Sequence, residues 1–287
     1  MKTLNTTIIL WLLCFSGFAQ NKGLLWEISK EGYYTSYLFG TIHLNHNIVL
    51  ENDSVVLAKI SECSAYAGEI ILQEEDMIKM MGYIFEKDSA KQCQNIFTKK
   101  ELKEISLVVE EKKGAIMAMF VPRMSPYIVA TILSIPDELG AASGTAFLDI
   151  YLQNFADSIG LALISLESVE LQMAYLTNIP IEEQKAHLLN IVNDIEKKEE
   201  ETNDIVEIYK SGDLQKIEDM VLEMTETDPI MNDDFMIERN IIHKNGMVNA
   251  MKQQATFTAV GVDHLEGEQG IISLLRGEGF SVKNVGL

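Results

Sequence analysis

Two histidines stand in the same five-residue setting, Gly40-Thr41-Ile42-His43-Leu44 and Gly261-Val262-Asp263-His264-Leu265. Each Gly-x-x-His-Leu closes an apolar, β-branched and aromatic run, Tyr37-Leu38-Phe39 in one case and Phe257-Thr258-Ala259-Val260 in the other. Such runs predict strands, and the glycines predict where the chain turns. With 5 His and 18 Gly in the chain, about 6% of histidines would carry Gly three residues earlier by chance. Two that also share the following Leu are a signal. Groups at the carboxyl ends of strands in an open α/β sheet face the crevice where ligands bind. Two imidazoles brought together there are ligands of the kind a transition metal takes up.

Glu69 belongs to the same pattern. It ends the small, apolar run Ala65-Tyr66-Ala67-Gly68, so in a parallel sheet its carboxylate emerges at the edge that carries His43. There it is either a third ligand or a base that takes a proton from water. Glu167 follows the apolar run Leu161 to Leu166 in the same way, and Asp149 opens a helix. Each is a further ligand, a partner that orients an imidazole, or a helix cap or solvated carboxylate. Arg239, within a helix beside Asn240, either stabilises negative charge in the crevice or pairs with Glu238 or Asp234 on the helix surface.

The other histidines carry less. His46 makes a His-x-x-His pair with His43, but Asn47 after it reads as loop. His187 and His243 lie on helices among charged neighbours and are expected to face solvent. Met77, Met80, Met81, Met117, Met119 and Met124 read as packing, with an adaptable groove for peptide or lipid as the other reading. The sequence has no HExxH, no phosphate-binding loop, no Gly-x-Ser-x-Gly and no dinucleotide fingerprint.

A net charge of −20 excludes a nucleic-acid partner, because phosphates need cations in number. Met1–Lys2, the apolar Ile8–Phe15 and the small residues Gly17 and Ala19 read as a secretory signal peptide over residues 1–19. The remainder, 20–287, is expected to be one exported domain, periplasmic or extracellular, with no transmembrane segment. Oligomeric state is not encoded in any pattern. Cleavage after Ala19 removes Cys14 and leaves Cys63 and Cys93, for which both a disulfide and two free thiols stay open.

The elements follow from periodicity. Leu24–Ile28 and Thr35–Gly40 are predicted strands, then a helix over Asn52–Glu62 and the strand at Ala65. Helices dominate from Glu74, with a break at Pro122-Arg123-Met124-Ser125-Pro126. Phe147–Ile159 is a helix ended by Gly160 and followed by the strand Leu161–Leu166. Glu182–Tyr209 reads as one long exposed helix or a pair, Asp213–Met224 and Asp233–Lys252 as further helices. A helix at Gly270–Arg276 and a terminal strand at Phe280–Val285 close the chain. The expected fold is α/β: a mixed central sheet built from both ends of the chain, with a large helical insertion over roughly 74–145 and 182–254.

These residues resemble the TraB/GumN family, related to the Tiki metalloproteases, over essentially all of the chain after the leader. The resemblance rests on Leu38 to His43, Glu69, Phe147-Leu148-Asp149, Leu166-Glu167-Ser168 and Gln172. It continues through Arg239-Asn240, Val260 to Gly267, Leu274-Leu275-Arg276 and Gly279-Phe280. Ser168 stands where the family pattern usually has Thr, and Gly160-Leu161-Ala162 lacks the common basic residue after Gly. The resemblance implies a fold of the erythromycin-esterase and ChaN type and a divalent-metal hydrolase site formed by His43, Glu69 and His264. Tiki-like members are peptidases dependent on manganese or cobalt, and zinc is also compatible with such ligands. The expectation is a metal-dependent hydrolase acting on a peptide or protein substrate, with Glu69 and Arg239 as catalytic groups. The alternative is a non-catalytic protein that captures a peptide, haem or metal in the same crevice.

Overall fold

The computed structural model describes residues 23–50, 53–134, 146–227 and 233–286. The leader read at 1–19 and the first residue of the helix expected from Asn52 lie outside them. Among the described residues six strands form one mixed sheet: β1 (Leu25–Ser29), β2 (Ser36–Thr41), β3 (Ala65–Gly68), β4 (Ala162–Ser165), β5 (Thr256–Gly261) and β6 (Ser281–Gly286). Their spatial order is β4-β3-β5-β2-β1-β6. The short turn after β1 makes β1 and β2 antiparallel, and β6 also joins β1 antiparallel. The long helical crossovers leave β2, β5, β3 and β4 parallel. The fold is thus α/β, with a sheet assembled from both ends of the chain.

β5 is central, and its burial on both faces explains its unbroken Phe257-Thr258-Ala259-Val260 run. Its register with β2 sets Gly40 against Val260 and Thr41 against Gly261, so the two motif glycines are one position out of step. Gly40 makes room for residues of the second motif, and Gly261 for residues of its own motif and for Glu69. A Cβ on Gly40 would stand 2.7 Å from Leu265 Cδ1 and 3.0 Å from Val262 Cγ2. A Cβ on Gly261 would press on the Asp263 carboxylate and stand 3.3 Å from Glu69 Oε1.

The buried side chains separate into two cores. One surrounds the sheet and includes Trp26, Phe39, Tyr66, Leu152, Tyr209, Met247 and Phe257. The other is helical, with Cys93, Phe97, Ile105, Met124, Leu133, Leu188 and Ile191. It is assembled by the helices Lys99–Lys113, Pro126–Ser134 and Ile181–Asn193. The charged run after Glu182 is a pair of helices, broken at Asp194 between Ile181–Asn193 and Ile195–Lys210. Cys63 packs in the sheet core and Cys93 in the helical one, and both are free thiols. A helix that periodicity did not announce, Val169–Thr177, starts at Ser168, whose side chain accepts from the Leu171 N–H at 3.1 Å.

Candidate metal and substrate site

Because β2, β3, β4 and β5 are parallel, their carboxyl ends share one edge of the sheet. His43 follows β2, Glu69 follows β3, Glu167 follows β4 and His264 follows β5. Against this edge lies the helix Asp233–Met251. Its residues 239, 240 and 243 share one face, by the spacing of a helical turn, and Arg239, Asn240 and His243 are all buried. Gly246 lets the helix approach, since a Cβ there would stand 2.8 Å from Leu166 Cδ2 at the end of β4.

One guanidinium joins two of the strand ends. Arg239 Nη2 donates to Glu69 Oε2 and to Glu167 Oε1, both at 2.6 Å, and Nε donates to Glu167 Oε2 at 3.3 Å. The Gly261 N–H donates to the other Glu69 oxygen, Oε1, at 2.6 Å. Burial alone would raise the Glu69 pKa, but His264, Arg239, His243 and His43 together hold it well below the usual carboxylate range. Burial likewise opposes ionisation of Glu167, and His243 and Arg239 outweigh it, so that carboxyl is also held low. Gln172 Nε2 adds a hydrogen bond to Glu167 Oε1 at 3.3 Å.

His264 is held in one tautomer. Asn240 Nδ2 donates to the Gln269 carbonyl at 2.9 Å, which turns Oδ1 toward His264 Nδ1 at 2.6 Å. An amide oxygen only accepts, so Nδ1 carries the proton and Nε2 keeps its lone pair. That Nε2 lies 3.7 Å from Glu69 Oε1. Burial, ahead of the opposing pull of Asp263 and Glu69, sets the His264 pKa below the ordinary imidazole value.

His43 sits differently. Its side chain is 65% exposed, and Nδ1 pairs with Asp149 Oδ1 at 3.2 Å. Lost hydration works against the cation, yet Asp149, Glu69 and Asp263 outweigh it and push the His43 pKa up to about 9; solvent around the exposed ring screens that pull. His43 and Glu69 line one cavity of about 290 Å³. Thr41, Asp149, Gln153 and Gln172 add polar groups to it, and Tyr66, Ile70, Leu72, Met80, Phe147 and Ile150 an apolar wall.

The residues expected to act together are thus distributed as follows. Glu69, His264 and Arg239 form one buried cluster, and His43 faces the cavity that Glu69 also lines. Arg239 points inward; its neighbour Glu238 instead accepts from Tyr175 Oη at 2.8 Å. Of the roles open to Asp149, the one seen is pairing with an imidazole. Glu167 is a buried partner of Arg239. His46 does not join His43: its Nδ1 meets the Ala146 carbonyl at 3.0 Å and its ring stacks on Tyr151 at 4.0 Å.

His243 corrects the expectation of a solvated side chain. It is wholly buried, because it follows Arg239 by one helical turn and so turns to the same strand ends. Its Nε2 is 3.7 Å from Glu167 Oε2, its ring meets that of His264 edge-on at 4.9 Å, and neither ring nitrogen has a hydrogen-bond partner among the described residues. Buried polar atoms are seldom left so. Glu69, Glu167 and His243 offer one donor atom each, all within 4.8 Å of one another, a group that could hold a metal ion. The spacing Arg239-Asn240-x-x-His243 was the available signal for this face.

A model of the TraB/PrgY/gumN family matches residues 24–284, and the chain belongs to that family. No curated protein and no solved structure matches the chain.

Proposed function

From membership of the TraB/PrgY/gumN family, we propose that the chain is an exported, periplasmic or extracellular, metal-dependent hydrolase of peptides. In this reading His43, Glu69 and His264 hold a divalent ion, manganese or cobalt before zinc. The observation that carries it is the lone pair of His264 Nε2, held by Asn240 and set 3.7 Å from Glu69 Oε1. These two atoms would be donors to one divalent ion, and their closeness suits a shared ion. The unpartnered nitrogens of His243 beside Glu167 extend the same donor set, and imidazole with carboxylate suits first-row divalent ions.

A divalent ion in such a site polarises a carbonyl and makes water a nucleophile at neutral pH. The chain's own groups divide the remaining work. Glu69, kept ionised by its cationic neighbours, has the character of a ligand more than of a base, since a base works best with a pKa near the ambient pH. Arg239 fixes the Glu69 carboxylate and adds positive charge from behind it, the side from which it stabilises negative charge developing on a substrate. Asp149 engages His43 at Nδ1 and leaves Nε2 as the donor atom. The apolar wall of the cavity suits the side chain of a peptide better than a charged group.

The test is to strip metal with a chelator, restore manganese, cobalt or zinc singly, and follow a peptide library by mass spectrometry. Metal-dependent cleavage that His43→Ala and His264→Ala each abolish is expected. Turnover that survives both substitutions together would sink the reading. Peptide binding without turnover under every metal would select the non-catalytic alternative.

A further inference from the structure

Arg239 claims one oxygen of each glutamate by a short bond, Glu69 Oε2 and Glu167 Oε1, both at 2.6 Å. The other oxygen of each glutamate lies 3.7 Å from an imidazole: Glu69 Oε1 from His264 Nε2, and Glu167 Oε2 from His243 Nε2. One guanidinium therefore joins two carboxylate–imidazole pairs of the same make. Only the first pair supplies the ion of the hydrolase reading.

His243 takes no part in the hydrogen bonds of the crevice. Its side chain is 0% exposed, and neither ring nitrogen has a hydrogen-bond partner among the described residues. At 3.7 Å the Glu167 oxygen is beyond hydrogen-bond reach. A buried imidazole without water or partner is costly. An ion between the two groups satisfies both, since it takes the imidazole lone pair and offsets the carboxylate. Glu167 Oε2 also accepts from Arg239 Nε at 3.3 Å, but a carboxylate oxygen carries two lone pairs and so keeps one for an ion.

We propose that the chain binds a second divalent ion, held by His243, Glu167 and Glu69, with Glu69 bridging it to the ion of His43 and His264. The three donor atoms lie within 4.8 Å of one another, and neither His264 nor His43 belongs to that group. The two ligand sets therefore share Glu69 alone. The proposal rests on the hydrolase reading for the first ion only, because its own ligands include neither motif histidine. The surrounding charge accommodates both ions. Asp149 and Asp263 act on the same groups as Glu69 and Glu167, so four carboxylates face the guanidinium of Arg239, and one divalent ion leaves them in excess. Imidazole with carboxylates suits first-row divalent ions in the second position as in the first. Paired ions about 3.5–4 Å apart stabilise both the attacking and the leaving atom of a hydrolysis.

The test is equilibrium dialysis of the purified, chelator-stripped chain against manganese. Elemental analysis counts the bound metal, and electron paramagnetic resonance reads whether the ions are coupled. About two ions per chain with a spin-coupled spectrum are expected, as for a pair that shares a carboxylate. His243→Leu should bind about one, with the spectrum of an isolated ion. His243→Phe repeats the measurement should circular dichroism show the Leu variant unfolded. A wild-type count below two overturns the proposal, as do two ions without coupling, or two that the His243 variants retain. A single ion lost in His264→Ala and kept in His243→Leu overturns it while leaving the hydrolase reading intact. Two coupled ions, one of them lost in His243→Leu, without turnover of any peptide would sink the hydrolase reading and uphold the second position.

Discussion

Asn240 Oδ1 lies 2.6 Å from His264 Nδ1, and the same amide donates from Nδ2 to the Gln269 carbonyl at 2.9 Å. A residue adjacent to Arg239 in sequence thereby decides which nitrogen of a distant histidine is free. The contact to His264 is buried and so is not diluted by water, and the one to Gln269 is partly buried.

Asn240→Ala should therefore act on metal binding as well as on stability. Losing the group that orients an imidazole ligand typically costs about 10–100-fold in metal affinity. Leaving His264 Nδ1–H without a partner costs about 1–3 kcal/mol. Competition against a fluorescent chelator measures the first and urea unfolding the second. Unchanged metal affinity in a variant of reduced stability would show that Asn240 only supports the fold.

Arg239→Met should be among the most destabilising single changes in the chain. It strands Glu69 and Glu167 as neighbouring buried carboxylates that now share no cation, a loss of about 3–5 kcal/mol. Adding Glu167→Gln removes one of the two charges, so the double variant should be more stable than the sum of the single effects. Strict additivity in denaturant titrations would mean that the guanidinium and the carboxylate are not coupled as their 2.6 Å contact implies.

Much of this arrangement was legible before any coordinates. The strand ends at Gly40, Gly68 and Gly261 follow from β-branched and aromatic runs that stop at a small residue, and a parallel sheet brings such ends to one edge. Glu69 and Arg239 were visible because charge interrupts an apolar context. His243 was hidden because its sequence neighbours, Ile242 and Lys244, point elsewhere on the helix. Only the tertiary approach permitted by Gly246 decides that this face is buried. The helix after Ser168 was missed because only the two-residue bend Leu166-Glu167 separates its cap from β4, and no Gly or Pro marks its start. The division of the helices between two cores depends on pairings such as that of Pro126–Ser134 with Ile181–Asn193, which periodicity within one helix does not encode.

His43 and His264 should titrate in opposite directions. The folded His43 value, about 9, lies above the unfolded one, so its contribution to stability is complete below about pH 6.5 and is lost as pH rises through the folded value. His264 is shifted down, so its contribution is complete above about pH 6.5 and is lost as pH falls. Glu69 and Glu167 are also shifted down; their contributions hold above the ordinary carboxylate value of 4.5 and are lost as pH falls through the folded values. Acid should thus destabilise the chain through His264, Glu69 and Glu167, and alkali through His43. Imidazole NMR titration should show Asp149→Asn returning His43 toward its ordinary value while His264 is unmoved. A shared response of both rings to Asp149→Asn would contradict the separate environments.

Cys63 and Cys93 should be chemically silent in the folded chain. Burial pushes both thiols up to about 12, and it is the thiolate that reacts. A thiol reagent at pH 8 should label neither site until denaturant is added, when both should react at once. Reduction should leave the unfolding midpoint unchanged, since no bridge joins them. A midpoint lowered by reductant would mean that the two cores are linked covalently after all.

The motif glycines should fail in different ways when each is given one methyl group. In Gly40→Ala the Cβ meets Leu265 Cδ1 at 2.7 Å and the Val262 Cα at 3.1 Å. Backbone cannot yield as a side-chain tip can, so the cost is overpacking of about 1–3 kcal/mol. Gly261 has φ −50, a conformation any residue accepts, so Gly261→Ala carries no backbone strain. Its Cβ instead displaces the Asp263 carboxylate and crowds Glu69 Oε1 and His264 Cδ2, at 3.3 and 3.4 Å. Stability should therefore fall mainly in Gly40→Ala, and metal affinity mainly in Gly261→Ala. Thermal unfolding and metal titration of the two variants side by side distinguish these outcomes. Equal losses in both measurements would mean that the glycines serve only the packing of β2 against β5.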